Sequence, residues 1–475
     1  MSNKPALPNA YVDVNNRNLG LSPSSPSGVF AYVGVCQEGS AAKDAIVAIN
    51  SPNDVKTLLG YGELVDDLLL HIGNKGKKVY AVPLDITTES TISAVTPVRA
   101  GTSSGTIALA AKSGKKVTNE FNLKFLFTKT GVAGAAKLKI STDGGVNYGA
   151  EFVLPATYDI PGANITATFT VGASGFDVDD YFTATTTKPQ PSTGDIEDAV
   201  DTLIANKLIN FAGIAIAADC DASLAASLLS KIGGAEGDPN YIYGYVITKP
   251  ALSSSETQVI TQAATLVSTV AGDRIQYVTG EQLVIRSNHS DQRVRNVLGI
   301  ITGRRSSIGI SEDIGLVAAG QVYGVLDNVT GWTDTTIQEL DALRTVTLRQ
   351  FKGLSGWYIT NGHMSDGFSD IKKDAWRLIL DKAATRTRLA ALGDVKIKVD
   401  PTDVSGSTEL LKNKMQAELD VMAANDEIVS GEVSVPDGQD ILTTDELKVD
   451  VEVVPFGHAS WIGITIGLVN PLRQA

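Results

Sequence analysis

The spacing of apolar residues switches twice along this chain, and no other feature restricts the fold as strongly. Within residues 29–83, short unbroken apolar runs at 29–35, 45–49 and 78–83 flank a helically spaced stretch at 52–60. The same alternation returns after 193. A stripe of Ile196, Ala199, Val200, Leu203, Ile204 and Leu208 precedes a run at 211–217, a helical stretch at 222–232 and a run at 241–248. Ser253, with Glu256 at capping-box spacing, then opens a stripe of Val259, Ile260, Ala263, Val267 and Val270, and a run at 274–278 follows. Unbroken apolar runs joined by helices predict a mainly parallel sheet covered by helices. Between the two blocks, residues 95–191 are rich in Thr, Gly and Val and change to period two. Phe121, Leu123, Phe125 and Phe127 fall on one face, as do Leu138 and Ile140, and later Ile165, Ala167, Phe169 and Val171. With the tight-turn dipeptide Asp143-Gly144, this predicts a β-sandwich-like insertion.

The expected fold class is therefore α/β and multidomain, with mixed or mainly parallel sheets, the β insertion, and extended arms at both ends. An N-terminal arm covers 1–28, a small α/β unit 29–94, the insertion 95–191, a larger α/β unit 192–330, a C-terminal α/β unit 331–460 and a C-terminal strand arm 461–475. At 475 residues the chain exceeds what one hydrophobic core holds. The last third predicts helices at 335–343, 369–392 and 408–425, strands near 345–351, 356–361, 428–435 and 448–454, and a final apolar stretch at 461–469. Residues 370–393 carry six basic and three acidic side chains, and a helix there places Trp376, Ile379, Leu380 and Ala383 inward with cations on two flanks. A solvated face is the plain reading of those cations; the sharper one is contact with an acidic partner.

Composition narrows the partners. With 40 Lys and Arg against 53 Asp and Glu, the net charge of −13 supplies no field for a phosphate backbone, so nucleic acid is not expected. Cys36 and Cys220 each sit beside an apolar run, where a buried thiol is ordinary, and His71, His289, His363 and His458 are too scattered for a metal site. No run approaches the ~20 apolar residues of a membrane span, and the N-terminus lacks a signal-peptide core, so folding in the cytoplasm of the producing cell is expected.

Motifs for chemistry fail one by one. Gly60-Tyr61-Gly62 imitates a dinucleotide fingerprint, but Val65 replaces its third glycine and the tract ends a helix. Gly76-Lys77-Lys78 lacks the first glycine and the metal-binding hydroxyl of a phosphate loop, and Gly353–Trp357 lacks the final glycine of a nucleophile elbow. The acidic pairs Asp66-Asp67 and Asp179-Asp180 read as solvated charge. No catalytic residue, cofactor or metal is assigned.

The order of segments resembles the contractile phage tail sheath family. The resemblance is carried by GVFAYVG at 28–34, Gly39, NSP at 50–52, LLG at 58–60 and GKKVYAV at 76–82. In the last third it continues through 340–343, GWYI at 356–359, 370–380, 415–422, Gly431 and VDVEVVP at 449–455. It spans 1–90 and 195–475 and leaves the insertion outside; residues 361–364 and 395–401 depart from the family's pattern. The resemblance implies hexameric rings stacked into a helical sheath around an inner tail tube protein, with baseplate and tail terminator proteins at the ends, in a virion tail assembled in the host bacterial cytoplasm. It implies no enzyme activity and no membrane insertion. Terminal arms of such subunits pair as strands with a neighbour's C-terminal sheet, which makes Tyr11, Val12, Val14, Ile462, Ile464, Ile466 and Leu468 the candidate exchange residues. The C-terminal unit faces the tube, which makes Lys373, Arg377, Lys382, Arg386 and Arg388 candidate tube contacts, and the insertion faces outward. Two other readings remain open: a cytoplasmic α/β enzyme with a β-rich insertion, and a non-contracting tail or baseplate protein.

Overall fold

The computed structural model of the chain describes residues 28–237, 240–248, 256–279, 282–285, 292–328 and 333–467. Tyr11, Val12, Val14, Leu468 and the Ser253 cap lie outside these residues.

The unbroken apolar runs are strands of one six-stranded sheet: β1 (Phe30–Val35), β2 (Val47–Ile49), β3 (Val79–Leu84), β4 (Gly213–Cys220), β5 (Tyr243–Thr248) and β6 (Ile275–Val278), in the order β6-β5-β4-β1-β3-β2. All neighbours are parallel except β2, which runs against β3. Burial on both faces explains the absence of polar alternation. Ala31, Val33 and Val35 of β1 enter one core with Ile214, Ile216 and Val246, while Phe30 and Tyr32 enter the other with Leu64, Leu68 and Ile300.

Helices α1 (Glu63–Gly73), α2 (Thr193–Ala205), α3 (Ala222–Gly234), α4 (Glu256–Thr269) and α5 (Leu298–Ser307) cover the sheet, α2, α3 and α4 on one side and α1 and α5 on the other. Gly299 and Gly303 let α5 lie against α1, since a Cβ at either would fall 2.1 Å from the carbonyl oxygen of Asp67 or 2.6 Å from that of His71. The predicted α2 stripe is corrected at one end: the helix stops at Ala205, and Leu208 projects into solvent. The boundary expected between units at 29–94 and 192–330 is also corrected. β1 pairs with β3 on one side and β4 on the other, so these segments build one sheet.

The insertion is a sandwich with its own core. A five-stranded antiparallel sheet contains Thr96–Val98, Asn122–Lys129, Lys137–Ser141, Phe152–Val153 and Tyr181–Thr185, and a three-stranded one contains Thr106–Ala111, Thr157–Ile160 and Ile165–Thr170. Phe121, Leu123, Phe125 and Phe127 are buried as their alternation predicts, against Ile107, Ile165, Ala167 and Phe169 of the other sheet. The two connecting segments pair with each other through Thr88–Gln190 and Ile92–Thr186 bridges.

The C-terminal unit contains α6 (Asp334–Ala342), α7 (Asp374–Leu392) and α8 (Glu409–Ala424), followed by an antiparallel hairpin of Ser430–Ser434 and Asp450–Val454. Its apolar side chains, among them Leu378, Ile379, Met415, Leu419 and Val433, continue the core under α1 and α5. A parallel bridge between Val278 and Val346 joins it to the edge strand β6. Among the described residues, no helix is long and apolar enough to cross a membrane.

Candidate assembly surfaces and a closed crevice

An α/β sheet of this kind binds ligands, when it binds them, beyond the carboxyl ends of the strands where the chain switches direction. Here that point lies between β1 and β4. It is occupied by a buried charge network. Gly62 (φ 139°) passes tightly over the end of β1, where a Cβ would lie 2.7 Å from the Val35 carbonyl oxygen, and sets Glu63 at the start of α1. Lys188, leaving the insertion, bridges Glu63 at 3.2 Å and Asp219 of β4 at 2.8 Å. Arg295 reaches Glu63 at 2.8 Å, Asp67 at 3.4 Å and Asp66 at 3.5 Å. Asn296 donates to Glu63, and Asn119 of the insertion donates to Asp66, each at 2.9 Å.

Burial pushes Asp67 up to about 7 against the pull of Arg295. Desolvation opposes the charge on Lys188, but Asp219 and Glu63 outweigh it and hold that amine protonated. The expectation that Asp66-Asp67 is solvated is thus overturned: both are buried and serve a network that fastens the insertion and the 292–296 segment to α1. In the second acidic pair, Asp180 is also buried, accepting from Ser103 Oγ at 2.5 Å and from the Ala100 and Asp177 amides at 2.9 Å. The Arg295 network is not legible in the sequence because the acidic partners of Arg295 stand 228 to 232 positions away. Only the pairing of Arg293 and Arg295 on an otherwise short strand hinted at it.

Beside this network, Tyr32 Oη lies 3.1 Å from His71 Nδ1, and Thr302 Oγ1 lies 3.2 Å from the same nitrogen. Burial pushes His71 down to about 4. The thiols of Cys36 and Cys220 are free and buried, and burial pushes Cys36 up to about 11. Among the described residues, no cluster of His, Cys, Asp or Glu has the arrangement to hold a metal ion.

The candidate cations of α7 are drawn into the chain's own ion pairs. Arg377 bonds Asp381 at 2.7 Å and Asp273 at 3.2 Å, and Asp381 also receives both terminal nitrogens of Arg274 from the β6 edge. Lys373 pairs with Asp313, Lys382 with Glu427, and Arg386 with Glu418 at 2.9 Å. Arg388 is exposed and, among the described residues, has no acidic partner. At the start of α7, Asp374 faces Arg305 at 3.5 Å, both fully buried. These contacts lock α7 to the sheet and to α8.

After the hairpin, residues 455–467 form neither helix nor strand, and 461–467 are all exposed. The Trp376 indole donates to the Phe456 carbonyl at 3.1 Å, and His458 Nε2 lies 2.7 Å from the Ser311 carbonyl oxygen. Beyond these anchors no backbone hydrogen bond holds residues 459–467, among the described residues. Trp461 is 94% exposed, and Ile462, Ile464 and Ile466 stand at every second position, all exposed. Apolar residues at every second position with no backbone partner give this segment the pattern of a strand that lacks a sheet.

The sequence matches the profile described as DUF2586, N-terminal domain, over residues 7–363, and that described as DUF2586, C-terminal domain, over 376–473. A comparison with curated proteins finds no match. Among solved structures, a chain of the contracted-state PVC sheath complex of an extracellular contractile injection system superposes with a TM-score of 0.56 at 10% identity, covering 99% of this chain and 100% of that one. A chain of the anti-feeding prophage (AFP) baseplate gives 0.54 at 11% identity, over 98% and 100%. The sheath tail protein Lin1278 from Listeria innocua gives 0.48 at 16% identity, over 92% and 96%. At such identities the two likenesses above 0.5 show a shared fold, over 98% and 99% of this chain, and nothing more.

Proposed function

This chain belongs to the DUF2586 family, and from that premise we propose that it is the structural subunit of a contractile tail sheath, in a phage tail or a related injection system. One observation carries the reading: the fold is shared end to end, over 99% of this chain and 100% of the other, with a chain of a contracted sheath complex. The subunits polymerise around an inner tube and contract to drive it through an envelope.

The closed crevice supports a mechanical role over an enzymatic one. Paired ions fill the place where an α/β enzyme holds its substrate, and they tie three segments distant in sequence into one rigid body. Contraction is then a rearrangement of rigid bodies linked by pliable arms. Strand addition suits such links, because backbone hydrogen bonds hold a neighbour without demanding one angle between the bodies. The exposed Ile462–Ile466 segment is the C-terminal arm, and Tyr11, Val12 and Val14 belong to the N-terminal one. The tube partner is met by the α7 side of the C-terminal unit. Because Lys373, Arg377, Lys382 and Arg386 have acidic partners within the chain, Arg388 carries the direct electrostatic contact and the other four set the position of α7.

Electron microscopy of the purified chain tests this reading. Hollow helical tubes are the expected result. A closed ring of fixed size points to a baseplate component, and a small uniform particle at high concentration refutes assembly.

A further inference from the structure

The C-terminal hairpin has two edges, and they are not equivalent. In an antiparallel pair, successive residues direct their amide and carbonyl groups alternately toward the partner strand and away from it. On Ser430–Ser434, the Gly431 carbonyl accepts from Gln416 Nε2 at 2.9 Å, and the Val433 amide donates to Gln416 Oε1 at 2.9 Å. These groups therefore face outward, and one side-chain amide from α8 occupies the edge as a strand would. The helix also presses close, since a Cβ at Gly431 would lie 2.9 Å from Leu419 Cδ1. The register places Val453 opposite Gly431 and Val451 opposite Val433, so the outward groups of Asp450–Val454 are those of Val451 and Val453. Among the described residues, nothing bonds to them.

We propose that Gln416 is a positioning residue that closes the Ser430–Ser434 edge, so that the arriving C-terminal arm of a neighbour pairs only with Asp450–Val454. The occupant is residues 462–466 of a second copy of this chain, which rests on the sheath reading above. Its chemistry matches the open edge in two ways. Val451 and Val453 are half-buried against the core beneath, and a strand laid beside them extends that apolar layer with Ile462, Ile464 and Ile466. The opposite face of the hairpin is acidic, with Glu432 directly across from Glu452 and Asp450 beside them. The arm presents only Gly463, Thr465 and Gly467 to that face, and so adds no charge to a like-charged pair. The arm's own anchors tie Phe456 to Trp376 and His458 to Ser311, and among the described residues none of 459–467 is hydrogen-bonded to its own hairpin. A closed second edge gives each hairpin one docking polarity, and a mesh of identical subunits needs that to keep a single connectivity.

Cysteine cross-linking within polymers of the full chain tests this. Cys36 and Cys220 are buried and do not compete. Thr465→Cys, with Gly463→Cys in parallel to allow for register, is combined either with Glu452→Cys on the open strand or with Glu432→Cys on the closed one. Adjacent strands bring such pairs within disulfide reach, and strands two apart do not. The expected result is intermolecular disulfide with Glu452→Cys and at least tenfold less with Glu432→Cys. Adding Gln416→Ala, a benign change on a helix, raises the Glu432→Cys product several-fold and speeds amide exchange at Val433 in the unassembled chain. Polymers that cross-link at Glu432→Cys with Gln416 intact overturn the inference while leaving the sheath reading standing. So does a Gln416→Ala pattern identical to the parent, or disulfide formed within one chain. Absence of any polymer overturns both.

Discussion

Truncating Ile464 to alanine isolates the arm's contribution to assembly from its contribution to folding. In the free subunit this side chain is 79% exposed, so its loss leaves the folded body within about 0.5 kcal/mol of the parent. In the polymer proposed above, the same side chain is expected to lie against the layer containing Val451 and Val453. Ile to Ala removes three carbon groups, worth about 0.8 kcal/mol each on full burial. Discounting the fifth of the surface already covered leaves about 2 kcal/mol per subunit contact. At 1.4 kcal/mol per decade, the concentration at which polymer first appears rises roughly thirtyfold. Sedimentation across a dilution series reads that threshold, with circular dichroism and thermal melting of the unassembled variant as the control for fold. Polymer appearing at the parental threshold refutes the reasoning. A marked fall in the melting temperature of the free subunit also refutes it, because Ile464 would then be packing within its own chain.

Two predictions concern the interior. Arg295→Met leaves Glu63, Asp66 and Asp67 buried without their main counter-charge, and costs about 3–5 kcal/mol. Hydrogen exchange, monitored by mass spectrometry, is expected to accelerate first in α1 and in the segment around Lys188; uniform exchange with an unchanged denaturation midpoint refutes the network's role. Because burial depresses His71 to about 4 from its ordinary 6.5, its neutral form contributes stability that is complete above 6.5 and is lost as pH falls through 4. His71→Gln cannot titrate, so urea midpoints between pH 7 and 4.5 should fall less for the variant than for the parent, and equal falls would count against the assignment.

What could be read before the structure follows from how local the signal is. Strands buried on both faces show as unbroken runs, half-buried strands show period two, and amphipathic helices show a stripe. The six main strands and the phenylalanine face of the insertion were therefore legible. So was the failure of 60–62 as a nucleotide motif, since Gly60 ends a short helix with φ 75°. Leu208 misled because a stripe continues in sequence after backbone hydrogen bonding has ended at Ala205. Asp66 and Asp67 misled because the burial of a carboxylate depends on a cation that folding brings to it.

The sequence by itself determined the classes of element, the break at the insertion and the alternation of isoleucines at 462–466, because each depends on residues within a turn or two of one another. Tertiary structure alone decided that 30–84 and 213–278 share one sheet, and that four of the five α7 cations face inward to acids. It alone decided that Arg295 closes the crevice and that Gln416 guards one edge of the hairpin. Each of those outcomes is a contact between segments far apart along the chain, and a pairing of that kind exists only once packing has selected one arrangement among the many that local pattern allows.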